Sequence, residues 1–137
     1  MTNFLTALYS KFSGSALSTD VGGRIKLDEA EADWEYPYVI YSIVTASPDD
    51  TFKNKLDDVL IQFSIFSASQ SILEITGIYN DLIALLDDVA LTITGSTCVW
   101  FKRENLVTMM EDITATDGTT QRARHWAVDY SILKEAA

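Results

Sequence analysis

Residues 37–46 read Pro-Tyr-Val-Ile-Tyr-Ser-Ile-Val-Thr-Ala, the densest β-branched and aromatic run in the chain. On a strand, Val39, Tyr41, Ile43 and Thr45 face one way, and Tyr38, Ile40, Ser42 and Val44 face the other. Both faces are therefore largely apolar. A strand with one wet face alternates cleanly between apolar and polar residues, and a strand covered on both sides does not. The run predicts a central strand, with helices on one face and further protein, such as another subunit, on the other.

Downstream, Ser47-Pro48-Asp49-Asp50 is turn chemistry: proline presets φ and the aspartates bond back to the chain. The next strand spans 57–67, with Val59, Ile61, Phe63 and Ile65 on its stronger face. The short connection predicts antiparallel pairing with the first strand. Upstream, residues 28–35 carry five carboxylates in eight residues and read as an exposed acidic loop. Trp34 is the exception there, because a large indole either folds back on its own core or meets a partner. Gly22-Gly23 precedes a short strand over 24–27. A helix is predicted over 3–12, with Phe4, Leu5, Leu8 and Phe12 on one side and Gly14 as its stop. Residues 13–19 read as loop or a ragged last turn of that helix.

Residues 69–88 form the strongest helical pattern, with Ile72, Ile75, Tyr79, Leu82, Ile83 and Leu86 at helical spacing. Ser71 and Glu74 fit a capping box, with Ser69 as an alternative cap. Gly77 inside the helix predicts a close packing contact, since it costs about 1 kcal/mol relative to alanine. Asp87-Asp88 stands at the end where the helix dipole disfavours negative charge. Residues 91–94 and 98–101 flank a turn at Gly95-Ser96. The polar stretch 102–105 predicts a bulge or bend before the pattern resumes at 106–110. Asp117-Gly118 is a hairpin signal. The last strand, 122–133, sets Trp126, Val128, Tyr130 and Ile132 against Ala123, His125, Ala127, Asp129 and Ser131. The order specifies an α+β fold, a mostly antiparallel sheet of about five strands with two helices packed on one face. All of it falls in one domain over 1–137.

The formal charge is −10. Such an acidic chain repels phosphate, which argues against general nucleic-acid binding and against anionic membrane surfaces. No apolar run reaches the roughly 18 residues of a membrane helix. The N-terminus lacks a signal-peptide pattern, so folding in the cytoplasm is expected. One cysteine, Cys98, leaves no internal disulfide and no multi-cysteine metal site. Chemistry is hard to assemble from the rest. The single histidine, His125, reads as a surface or subunit-contact residue, and Cys98 as a small hydrophobe. The adjacent aspartates at 49–50, 57–58 and 87–88 point to opposite faces wherever they sit on a strand. They lack the spacing of a calcium loop. No nucleophile–base pair emerges, so no enzyme, no cofactor and no metal is expected.

Taken in order, the elements resemble the small tail-completion or tail-terminator proteins of long-tailed bacteriophages and prophages. The resemblance rests on the N-terminal helix, Gly23-Arg24-Ile25, and Tyr36-Pro37-Tyr38-Val39-Ile40-Tyr41. It continues through Gln62-Phe63-Ser64-Ile65-Phe66-Ser67, the serine-capped helix, and Asp129-Tyr130-Ser131-Ile132. It implies a non-enzymatic virion protein, made in the bacterial host cytoplasm and located at the head–tail junction. Such a protein assembles as a ring, typically a hexamer, that caps the tail tube and joins tail to head. The implied partners are further copies, the tail tube protein and head-completion or connector proteins. DNA passes through the lumen without specific binding. Trp34, Tyr36, Tyr38, Ile40 and Val44 are the candidate subunit or partner contacts. The alternative is a small α+β binding module with an apolar pocket between sheet and helices, lined by Tyr41, Phe63, Tyr79 and Trp126.

Overall fold

The computed structural model describes residues 2–31, 34–48, 56–69, 71–87, 91–93, 96–114, 118 and 120–136. Its elements are α1 (Thr2–Phe12), α2 (Ala16–Asp20), β1 (Ile25–Leu27), β2 (Tyr38–Pro48), β3 (Leu56–Ser67), α3 (Ile72–Leu86), β4 (Thr92–Ile93), β5 (Ser96–Thr114) and β6 (Thr120–Ala136). The strands form one six-stranded sheet in the order β1-β2-β3-β6-β5-β4. β1 runs parallel to β2, and every other pairing is antiparallel. The α+β class and the mostly antiparallel sheet are as the sequence implies.

Four details differ from expectation. The 37–46 run is not the centre of the sheet: β3 and β6 are, and β2 lies one strand from the edge. A third helix, α2, occupies part of the expected 13–19 loop. The Ser15 hydroxyl accepts the Ser18 N–H at 3.1 Å and donates to the Phe12 carbonyl at 2.6 Å, and Leu17 is fully buried. One serine thus closes α1 and caps α2. The capping box of α3 is only half formed. Ser71 accepts the Leu73 N–H, but the Ser71 N–H goes to the Ser69 hydroxyl, and Glu74 accepts from the Ser67 hydroxyl at 2.6 Å. The carboxylate that would have closed the box ties the end of β3 to α3 instead. Finally, Gly77 is exposed, and an added Cβ would meet nothing within 4 Å. The packing explanation for this glycine fails. Gly77→Ala is expected to stabilise the isolated chain by about 0.5–1 kcal/mol, read as a higher urea midpoint; a loss of stability would contradict this.

The core lies between the helices and one face of the sheet. Phe4, Leu8, Phe12, Leu17, Ile75, Ile78, Leu82 and Leu86 bury against Val39, Tyr41, Val59, Ile61, Phe63, Ile65, Val128, Tyr130 and Ile132. Phe63 sits at its middle, edge-on to both Phe12 and Tyr130 and tilted against Tyr41. Tyr79 stands edge-on to Trp126. The four residues that would have lined an apolar pocket are thus engaged in ring packing. The bulge expected at 102–105 is present, as a register shift between Arg103 and Asn105. Asp87, badly placed for the helix dipole, accepts the Tyr130 hydroxyl at 2.5 Å and pairs with Arg103 at 3.3 Å. Burial, and then this carboxylate, hold the Tyr130 phenol far above its usual range. The turn aspartates 49–50, Asp88, Gly95 and Asp117 lie outside the described residues.

At the α2–α3 junction, Asp20 and Asp81 share a hydrogen bond. Partial burial first, then that bond and the Asp81 charge, push the Asp20 carboxyl up to about 6. A folded-state pKa above the unfolded one binds extra protons in the fold, so this contribution is complete below about 4 and lost as pH rises through about 6. Asp81→Asn is therefore expected to raise the melting temperature at pH 7, with the gain shrinking towards pH 4. A gain independent of pH would contradict the shared proton.

Candidate functional site

Strand alternation and the observed registers place Tyr38, Ile40, Ser42 and Thr45 of β2 on the face opposite the helices. With them lie Asp58, Leu60, Gln62, Ser64 and Phe66 of β3, and His125, Ala127, Asp129 and Ser131 of β6. Tyr38, Ile40, Ser42, Leu60, Gln62, Ser64 and Phe66 are all half-buried. The helices bury their apolar residues on the other face. β5 does not fold across this one either; it lies in the plane of the sheet, paired with β6 along nearly its whole length.

One end of this face is aromatic. Trp34 folds back to within 6.0 Å of Tyr38, and Tyr36 stacks on Tyr38 at 5.2 Å. Tyr38 stacks on Phe66 at 4.9 Å, and Phe66 on His125 at 4.2 Å. The His125 Nδ1 lies 2.9 Å from Glu111 Oε1. A continuous row of rings thus crosses β2, β3 and β6 and ends on a β5 carboxylate. Each stacked pair contributes about 0.5–1.5 kcal/mol beyond its buried area. Burial, the Tyr36 hydroxyl and Glu111 push the Tyr38 phenol up to about 12, so it stays neutral. The other end is polar and acidic. Gln62 donates to Asp129 at 3.0 Å, and Ser131 to Asp58 at 3.1 Å. A shallow hollow of about 310 Å³ is lined there by Thr45, Ser47, Asp58, Leu60, Glu104 and Ser131.

Of the five residues singled out from the sequence, Trp34, Tyr36 and Tyr38 come together in the row. Ile40 follows Tyr38 along the same face of β2. Val44 does not join them by alternation, because it is the extra residue of a bulge between Ile43 and Thr45 and is 51 % exposed. Sequence reading leaves Phe66 out of the candidate contacts, and it gives His125 as a surface or subunit-contact residue without naming its neighbours. Both belong to the row only through cross-strand register, which no local pattern reveals.

The motifs are also the joints of the fold. The Arg24 Nε donates to the Pro37 carbonyl at 3.0 Å, and the Val39 N–H to the Arg24 carbonyl at 2.9 Å. Gly-Arg-Ile and Tyr-Pro-Tyr are thus two halves of one contact that positions the row. Gln62 and Asp129 join two more of the blocks. Among the described residues, no group of three or more His, Cys, Asp or Glu side chains is placed to hold a metal, and no helix is long and apolar enough to cross a membrane. Cys98 and His125 pair with β6 Lys134 and β5 Met109 respectively, well apart along the sheet.

The family described as tail completion protein gp17 matches residues 6–135. No curated protein matches the chain. A solved structure described as the virion of a native gene transfer agent particle superposes with a TM-score of 0.72 at 12 % identity, over 96 % of this chain and 93 % of that one. At that identity the likeness is one of fold.

Proposed function

This chain belongs to the tail completion protein gp17 family of phage structural proteins, and from that premise we propose that it assembles as a ring that caps the tail tube and joins tail to head. The observation that carries the ring is the uncovered sheet face. A row of partly exposed aromatic side chains lies there, and among the described residues no helix or strand of its own chain packs over it. Exposed apolar surface of this kind marks an interaction site. Tyr and Phe are the side chains that anchor interfaces.

In this reading a neighbouring copy covers Tyr38, Ile40 and Phe66, with Trp34, Tyr36 and Val44 at the margin. Such a contact is heterologous, and rotation about one axis closes it into a ring, a hexamer being the expected size. The net charge of −10 gives a lumen that repels DNA and lets it pass without sticking. Tail tube protein would meet one rim of the ring, and a head-completion or connector protein the other. The role is structural, and the site has no cofactor and no reaction. Mixing the purified protein with its cognate tail tube protein tests the cap. Tubes are expected to stop growing and to carry a ring at one end under negative stain. Tubes that lengthen unchanged and bear no terminal density would overturn the proposal.

A further inference from the structure

We propose that the outer edge of β5 pairs, antiparallel, with the same edge of a second copy of this chain, on a twofold axis at Val107. Among the described residues, β4 pairs only with Ser96 and Thr97. From Cys98 to Thr114 the inner edge of β5 is bonded to β6, and its outer edge meets no described strand. A long edge presents a row of unpaired N–H and C=O groups, which only another strand satisfies in series. The opposite side of the sheet is guarded in the usual ways: short β1 covers part of β2, and a bulge and Pro48 interrupt the remainder. β5 has no such guard beyond Asn105. Its pairing with β6 is regular from there to Thr114, and Val107, Met109 and Met110 are exposed.

The order of charges on β5 says what fits. Lys102 and Arg103 stand at one end of the segment, and Glu111 and Asp112 at the other. Two copies laid antiparallel about Val107 set Leu106 against Thr108 and Asn105 against Met109. The bulge between Arg103 and Asn105 takes up one residue in each copy. Lys102 then comes opposite Glu111, and both lie on the face of Ser131 and Ala123. Arg103 comes diagonal to Asp112 on the helix face. Opposite charges across a strand pair are favourable and like charges are not, so a parallel arrangement, which stacks Lys102 on Lys102, is disfavoured. A twofold contact uses one edge on each copy and stops there. It lies on the far side of the sheet, three strand spacings or roughly 14 Å from β2, and does not depend on the ring contact.

The test uses the full chain with Cys98→Ser and Val107→Cys. Mild oxidation is expected to yield a disulfide-linked species of twice the 15.3 kDa chain mass on a non-reducing gel. Val99→Cys in the same background is expected to stay uncrosslinked, because its counterpart lies far away in this pairing. Val107→Asp, which sets two like charges together on the axis, is expected to halve the mass measured by light scattering while leaving the circular dichroism unchanged. Absent cross-linking at 107, equal cross-linking at 99 and 107, or an unchanged mass for Val107→Asp would each overturn the pairing. Hydrogen exchange of the unaltered protein gives an independent reading. Protection of the outward-pointing amides among 105–112, every second residue, that is lost on dilution is expected, and fast exchange of those amides at every concentration contradicts it.

Discussion

Ile40→Asp is expected to fold normally and to leave tails unfinished. Ile40 sits on the uncovered face of β2, half-buried, between Lys26 of β1 and Ser64 of β3 in the registers. In the isolated chain the new carboxylate remains in water, and the cost is that of a poor strand former, about 1 kcal/mol. In a ring the same carboxylate is trapped at a subunit contact with no partner. An unpaired charge in a desolvated interface costs about 3 kcal/mol per contact, roughly a hundredfold in affinity, and a closed ring repeats the penalty at each interface. The expected result is a melting temperature within a few degrees of the parent and complementation of a tail-completion defect reduced by at least about a hundredfold. Normal complementation would mean that this face is not the contact. A collapsed melting temperature would mean that Ile40 serves the monomer's own fold.

Phe63→Ala is expected to do the reverse and attack the monomer. Phe63 is fully buried and touches the rings of Phe12, Tyr41 and Tyr130, so three elements meet on it. Truncating a buried phenylalanine removes its transfer free energy and leaves a cavity that its neighbours fill incompletely, about 3–5 kcal/mol in total. Native domains are stable by only about 5–15 kcal/mol, so the variant should melt far lower and be partly unfolded at 37 °C. Urea unfolding measures the loss. A difference below about 1.5 kcal/mol would place Phe63 outside the centre of the core.

The contrast between these two positions explains how much the sequence could say. Residues such as Phe63, Val128 and Ile132 announce themselves by period-two alternation. The amphipathic stripes of α1 and α3 do so by helical spacing, and these local periods carry the fold class. The parallel seating of β1 on β2 does not show locally. It depends on Arg24 reaching Pro37 and on Val39 donating to the Arg24 carbonyl, contacts across 13 and 15 residues. The site was half legible for the same reason. Tyr36 and Tyr38 stand out within their own segment, whereas Phe66 and His125 join them only when three strands are in register. Alternation alone puts Val44 on the face of Tyr38 and Ile40, and a bulge between Ile43 and Thr45 interrupts that alternation. Gly77 has the sequence context of a packing glycine and is an exposed helix residue. Its survival on an open surface has no explanation inside the monomer.

In the proposed role the protein ends the tail at the head. A small electron-dense label on the chain, in particles that still complete their tails, tests this most directly by electron microscopy. Density is expected at one level only, the junction of tail and head, with several copies around the axis. Label spread along the tail, found at the distal tip, or absent from finished particles would contradict it.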